Sequence, residues 1–247
     1  MNFIVFDLEL NQDFSSMEVR NAAKSQPFEI IQIGAVKLDS ALNKVGSFNR
    51  FVKPAIYRRV NPFISDLTGI TDQQLDSEVH FPEVYREFID FAEGAGSVFA
   101  VWGTSDMKEL YRNAEFHSLS LKSLSRKYIN IQPYVSLYFN YSLKHLLRLE
   151  HAVKALNIPG AYPFHDAYND AYYTSEIFRK IYSPFIQPKI YDPSELPVKP
   201  LRQPKRVIDI EGLIGQFEKM YAREMTAEEK GIILLAYKMG KTNQFLK

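Results

Sequence analysis

Met1-Asn2-Phe3-Ile4-Val5-Phe6-Asp7-Leu8-Glu9 is the stretch on which the reading of the fold turns. The apolar, β-branched run through Phe6 is too short for a helix and predicts a strand buried on both faces, central in its sheet. Period two then puts Asp7 and Glu9 on one face and Leu8 on the other. Carboxylates beside a sheet core are costly unless paired or bound to cations, and the sequence neighbours of this pair offer no positive charge. Either the pair marks a cation site, or the strand has already ended and both acids sit in water.

Outward from this strand, Phe28 to Leu38 and Ser47 to Val52 predict two more, with Asn43 to Gly46 as the turn between them, so the three read as a meander. Helical patterns follow at Asp72 to Leu75, Pro82 to Glu93 (opened by Pro82 and closed by Gly94), Asp106 to Phe116, Leu121 to Tyr128, Leu143 to Leu156 and Asp166 to Ile181. Ser97 to Trp102 and Ile129 to Ile131 supply the remaining strands. Strands first, then helices alternating with strands, describe an α/β domain over residues 1–183 with a mixed five-stranded sheet flanked by helices. Between residues 184 and 206 six prolines recur, and five basic side chains stand against two acidic ones, which reads as an extended basic linker. Residues 207–247 predict a helical hairpin, Ile208 to Arg223 and Thr226 to Met239, the second helix opened by the capping box Thr226…Glu229. Such an extension is compatible with packing back on the core, with self-association, or with docking a protein partner.

The chain's 247 residues carry 30 basic and 29 acidic side chains, 46% apolar residues and no cysteine, which removes disulfide frameworks, thiolate metal sites and cysteine nucleophiles. The absence of cysteine fits a reducing compartment, and the cytoplasm is the expected location. No apolar run approaches the ~18 residues of a membrane span, and the first residues read as fold rather than as a secretory leader. The net charge of +1 leaves nucleic-acid binding open, because local patches decide it.

Two further groups carry chemistry. Asp106 follows the strand ending at Trp102, after a Gly103-Thr104-Ser105 turn, and stands in the first turn of a helix. Capping alone accounts for an aspartate there, but if the strands before Asp7 and Asp106 run parallel, both acids lie at the carboxyl ends where α/β sheets gather their sites. His165 and Asp170 open the last helix of the domain; five helical residues turn through about 140°, so the two converge only if His165 hangs off the preceding loop with Asp166 as N-cap. Taken singly, His165 reads as a solvated loop histidine and Asp170 as an acid on an exposed helix face.

As a set, Asp7, Glu9, Asp106, His165 and Asp170 resemble the DEDDh family of 3′-5′ exonucleases, the DnaQ-like branch of the RNase H fold. The first block, Phe3 to Glu9, the strand Glu29 to Val36, the segment Leu67-Thr68-Gly69-Ile70, the block Trp102 to Leu110 and the block His165 to Asp170 occur in the family's order over residues 1–182. Within the family the chain is most similar to the enhanced-RNAi-type and sporulation-inhibitor exonucleases. The resemblance implies an RNase H-like sheet and removal of 3′-terminal nucleotides from single-stranded nucleic acid, RNA ahead of DNA, as nucleoside 5′-monophosphates. It also implies two Mg²⁺ or Mn²⁺ ions held by Asp7, Glu9, Asp106 and Asp170, with Asp7 bridging them and His165 as general base. Hard cations suit an all-carboxylate set. Leu10, Asn11, Leu67 and Thr68 are the implied contacts to the terminal bases, with Phe14 and Trp102 as stacking candidates. Many members follow the first block's glutamate with threonine where this chain has Leu10-Asn11. Tyr57-Arg58-Arg59 and Lys199, Arg202, Lys205 and Arg206 are candidates for phosphate contact. The rival readings are an integrase-type nuclease, which requires no histidine in the third block, and a catalytically silent module that binds nucleic acid or recruits a partner. Gly240-Lys241-Thr242 lacks the upstream glycine and strand of a P-loop.

Overall fold

In the computed structural model of the protein, which describes residues 1–12, 28–141, 146–193 and 209–241, the first strand runs unbroken through the acidic pair: β1 spans Phe3–Asn11. β2 (Glu29–Leu38) pairs antiparallel with β1, and β3 (Lys44–Phe51) antiparallel with β2, giving the expected meander. The turn between β2 and β3 comes earlier than the sequence implied. Asp39 Oδ1 accepts the N–H groups of Ala41 and Asn43 at 2.9 and 2.8 Å, which closes the turn and releases Lys44 to begin β3.

Two short helices follow, α1 (Pro62–Thr68) and α2 (Asp72–Asp76), and they give Leu67-Thr68-Gly69-Ile70-Thr71 a local meaning. Gly69, at φ 74°, ends α1 in the left-handed region, and its N–H donates to the Ser65 carbonyl at 2.8 Å. Ile70 is buried, and the Thr71 hydroxyl caps α2 by accepting the Gln74 N–H. The chain continues through α3 (Phe81–Ala92), β4 (Val98–Val101), α4 (Ser105–Phe116), β5 (Lys127–Asn130), α5 (Ile131–Tyr138), α6 (Leu149–Ala155), α7 (Ala167–Ile181) and β6 (Lys189–Ile190).

Three expectations are corrected here. Leu121 to Tyr128 is not a helix: Leu121–Ser123 makes one tight turn and the chain then extends into β5. Leu121 and Leu124 share the spacing of one turn, too little to sustain a helix before a strand edge takes the backbone. The helix expected from Leu143 begins at Leu149, residues 142–145 lying outside the described ones. The sheet has six strands rather than five, in the order β3-β2-β1-β4-β5-β6, because Lys189–Ile190 adds antiparallel to β5.

β4 and β5 run parallel to β1. Side chains alternate along β1 between two cores: Ile4, Phe6 and Leu8 pack with α3 and α4 residues such as Phe88, Met107 and Leu110, whereas Phe3 and Val5 pack with Ile177 and Phe178 of α7. Phe6 lies edge-on to Phe88 and Phe99 at 5.7 and 5.1 Å between ring centroids. The same alternation turns Asp7 and Glu9 toward the α7 face.

Contacts divide the chain into two compact units, Met1–Glu195 and Leu196–Lys247. The second holds α8 (Ile210–Tyr221) and α9 (Ala227–Lys241), and its capping box is formed: the Glu229 carboxylate accepts the Thr226 N–H at 2.8 Å while the Thr226 hydroxyl accepts the Glu229 N–H at 3.3 Å. Among the described residues no helix is long and apolar enough to cross a membrane.

Candidate active site

β1 outlasts its parallel neighbour. Its pairing with β4 stops at Val5 opposite Ala100, while its pairing with β2 continues through Asp7 opposite Gly34 and Glu9 opposite Gln32. The chain leaves β4 at Val101 through Gly103, at φ 100°, and enters α4, whose first turn carries Asp106. This is where the meander on one side of β1 meets the parallel strands on the other, the place where open α/β sheets form a crevice. Carboxylate oxygens of Asp7, Glu9 and Asp170 lie within 4.8 Å of one another, each residue half-buried, and Asp106 is buried close enough to be felt electrostatically by Asp7 and Glu9. The solvated reading of Asp7 and Glu9 is thereby set aside: the strand runs on past both.

Asp170 reaches this point because α7 is pressed against the sheet. A Cβ on Gly34 would lie 2.1 Å from the Ala167 carbonyl carbon and the Tyr168 nitrogen, so only glycine admits the helix there. Gln32, one pair along, locks the approach: its Oε1 accepts the Ala167 N–H at 3.1 Å, and its Nε2 donates to Asp166 Oδ2 at 2.9 Å and to Asn49 Oδ1 at 3.0 Å. Asp166 caps α7 as expected, accepting the Asn169 N–H at 2.9 Å. Gly34 and Gln32 seat the helix that carries Asp170, a part the sequence does not display, since their partners lie more than 130 residues away.

His165 hangs off the loop before α7. Its φ of 65° is the left-handed backbone that most residues avoid, its side chain is exposed, and its N–H donates to Asp170 Oδ2 at 3.3 Å. Tyr173, fully buried in α7, fixes this loop twice over. Its hydroxyl donates to the Tyr162 carbonyl and accepts the Tyr162 N–H, both at 2.7 Å, and its ring stacks on Phe164 at 4.9 Å.

Crowding raises the proton affinity of the whole acidic set. Burial, with Asp106, Asp170 and Glu9 adding repulsion, lifts Asp7 well above the usual carboxylate range. Burial and the Asp170, Asp166 and Asp106 charges push Glu9 up to about 8. Burial, reinforced by Asp170 and Glu109, pushes Asp106 up to about 7. Asp170 rises to about 6, burial outweighing the hydrogen bond from the His165 amide. A buried acidic cluster of this kind calls for counter-charge. Asp170 Oδ1 is buried and, among the described residues, has no hydrogen-bond partner, in a group whose ligand atoms are all carboxylate oxygens. Hard divalent cations fit that donor set.

The other nominated residues divide. Leu10 is half-buried against the α3–α4 core, and Leu67 is exposed on α1, which touches β1. The Thr68 hydroxyl donates to the Ile64 carbonyl and accepts the Ile70 N–H, so it finishes α1. Asn11 is fully buried; its Nδ2 donates to the Arg59 carbonyl and its Oδ1 accepts the Asn61 N–H, both at 2.9 Å, which makes it an internal brace rather than a contact surface. Trp102 packs against the α7-side core. Phe14, Lys199, Arg202, Lys205 and Arg206 lie outside the described residues.

With this geometry in place, kinship is informative. The RNase_T family model, described as exonuclease, matches residues 4–178, and the chain belongs to that family. It is 29% identical over 136 residues to the 3′-5′ exonuclease crn-4 of Caenorhabditis elegans, covering 51% of this chain and 45% of that one. Against the probable 3′-5′ exonuclease KapD of Bacillus subtilis (strain 168) it is 24% identical over 160 residues, 62% of this chain and 73% of KapD. The solved nuclease domain of 3′hExo, a DEDDh family member bound to rAMP, shares the fold with a TM-score of 0.64 at 20% identity, over 77% of this chain and 96% of that domain. The chain spans less than half the length of crn-4.

Proposed function

We propose that this protein is a metal-dependent 3′-5′ exonuclease that shortens single-stranded nucleic acid, RNA ahead of DNA, one nucleoside 5′-monophosphate at a time. The observation that carries the reading is the convergence of Asp7, Glu9 and Asp170 oxygens within 4.8 Å beside buried Asp106, in a chain that belongs to an exonuclease family. Asp7, Glu9, Asp106 and Asp170 would hold two Mg²⁺ or Mn²⁺ ions, which when bound supply charge for the attacking and leaving oxygens of an in-line phosphoryl displacement. The chain's own residues do the rest. His165, held outward on a left-handed loop residue next to Asp170, takes a proton from the attacking water, a role suited to imidazole near neutral pH. Tyr173 and Phe164 keep that loop in place, and Leu10 and exposed Leu67 offer apolar surface to the terminal bases. Preference for RNA is supported by likeness to the rAMP-bound nuclease domain.

Incubation of the protein and Mn²⁺ with single-stranded RNA labelled on its terminal nucleotide tests the reading. The first labelled product should be that nucleotide as a 5′-monophosphate. Internal fragments, or label released as a 3′-phosphate, would overturn it.

A further inference from the structure

Residues 55–61 are pinned to the sheet unit along almost their whole length. The buried Glu29 carboxylate at the start of β2 accepts three successive backbone N–H groups, those of Ala55, Ile56 and Tyr57, the last two at 2.7 and 2.8 Å. Asn11, at the end of β1, holds the Arg59 carbonyl and the Asn61 N–H; Asn61 Nδ2 donates to the Gln12 carbonyl at 3.1 Å, and Asp72 Oδ1 accepts the Val60 N–H at 2.7 Å. Tyr57 and Val60 are buried on either side. The charged side chains that this tethering leaves in solvent are those of Arg58 and Arg59. Among the described residues neither guanidinium meets a carboxylate, whereas Arg50, Arg112, Arg126 and Arg179 each do.

The position is set by β1. The Arg59 carbonyl is 2.9 Å from the Asn11 amide, and Asn11 lies two residues beyond Glu9, about 7 Å along a strand. The backbone that carries these two exposed cations is therefore fixed beside the strand that bears the acids, which by themselves repel a polyanion. A loose basic loop would lose side-chain and backbone entropy on gripping a phosphate, and a loop already fixed at five backbone N–H groups and one carbonyl loses far less. Resting on the exonuclease reading, we propose that Arg58 and Arg59 are positioning residues that grip phosphates of the strand upstream of its 3′ end. The guanidinium fork matches phosphate oxygens in pairs.

The test compares the full chain with R58Q/R59Q and R58K/R59K on two substrates, a single-stranded RNA across a salt series and the p-nitrophenyl ester of thymidine 5′-monophosphate, which has no upstream phosphate. For R58Q/R59Q, kcat/KM on the RNA should fall by roughly tenfold, mainly through KM. Its dependence on log salt should flatten by about 1.4, two phosphates at about 0.7 each for single strands. Hydrolysis of the ester should stay unchanged, and R58K/R59K should recover much of the RNA activity. An unaltered salt slope in a variant that still cleaves RNA overturns the proposal, as does a parallel loss on the ester, which would place the effect at the reacting end or in the fold. A wild-type chain inactive on both substrates fells the exonuclease reading itself, and this one with it.

Discussion

Three carboxylates that converge, with Asp106 close enough to act on two of them through its charge, behave differently from isolated ones, and the consequences are measurable residue by residue. Asp170, Asp106 and Glu9, raised to about 6, 7 and 8, bind protons in the folded chain that the unfolded chain has already released near pH 4. The folded state thus holds more protons than the unfolded one between about pH 4 and about pH 8, and the stability of the metal-free protein falls as pH rises through that window. Scanning fluorimetry should show a declining Tm between about pH 5 and 8, recovered by Mn²⁺ more strongly at the upper end; a flat profile would contradict the crowding. Asp7→Asn should raise the metal-free Tm while abolishing cleavage, since a neutral amide replaces a carboxyl whose charged form burial and the neighbouring acids disfavour. His165→Ala should lower turnover by about 10²- to 10⁴-fold and leave a calorimetric Mn²⁺ titration unchanged. Weakened ion binding would make the histidine a ligand instead. The convergence of Asp7, Glu9 and Asp170 was legible in the sequence because their order and their places at a strand end and a helix start fit one sheet edge. The burial of Asn11 was not legible, because an exposed amide and an internal brace look alike in one dimension.

The placement of α7 decides whether the residues meet at all. Gly34→Ala sets a methyl group against the Ala167–Tyr168 backbone, so the helix must retreat from the sheet and carry Asp170 with it. The expected cost is about 1–3 kcal/mol in denaturant unfolding, accompanied by a loss of Mn²⁺ affinity. Normal affinity would show that the helix need not sit so close. Asp166→Ala, which removes the α7 cap and the Gln32 contact, should cost about 1 kcal/mol. At this scale β1 to β3, β4 and α7 follow from periodicity and caps. The one-turn segment at Leu121–Ser123 and the two-residue β6 do not, because both are imposed by neighbours rather than by local preference. Gly34 and Gln32 were unreadable for the same reason, their partners lying on a distant helix.

Across the whole chain, the candidate site and both cores flanking the sheet fall within Met1–Glu195. A chain ending at residue 195 should therefore unfold cooperatively and keep the cleavage activity of the full protein; its inactivity would give the second unit a direct part in catalysis. The sequence placed a proline-rich basic stretch over 184–206, and Lys189–Ile190 within it joins the sheet as β6. Composition there described solvent exposure but not the free strand edge of β5 waiting to be covered.

The most direct test of the central claim is a time course on 5′-labelled single-stranded RNA and DNA of one sequence with Mn²⁺ or Mg²⁺, beside Asp7→Asn and His165→Ala. A ladder descending from the 3′ end, faster on RNA and lost in both variants, is the predicted result. Intact substrate with either ion, or a ladder that survives Asp7→Asn, would contradict it.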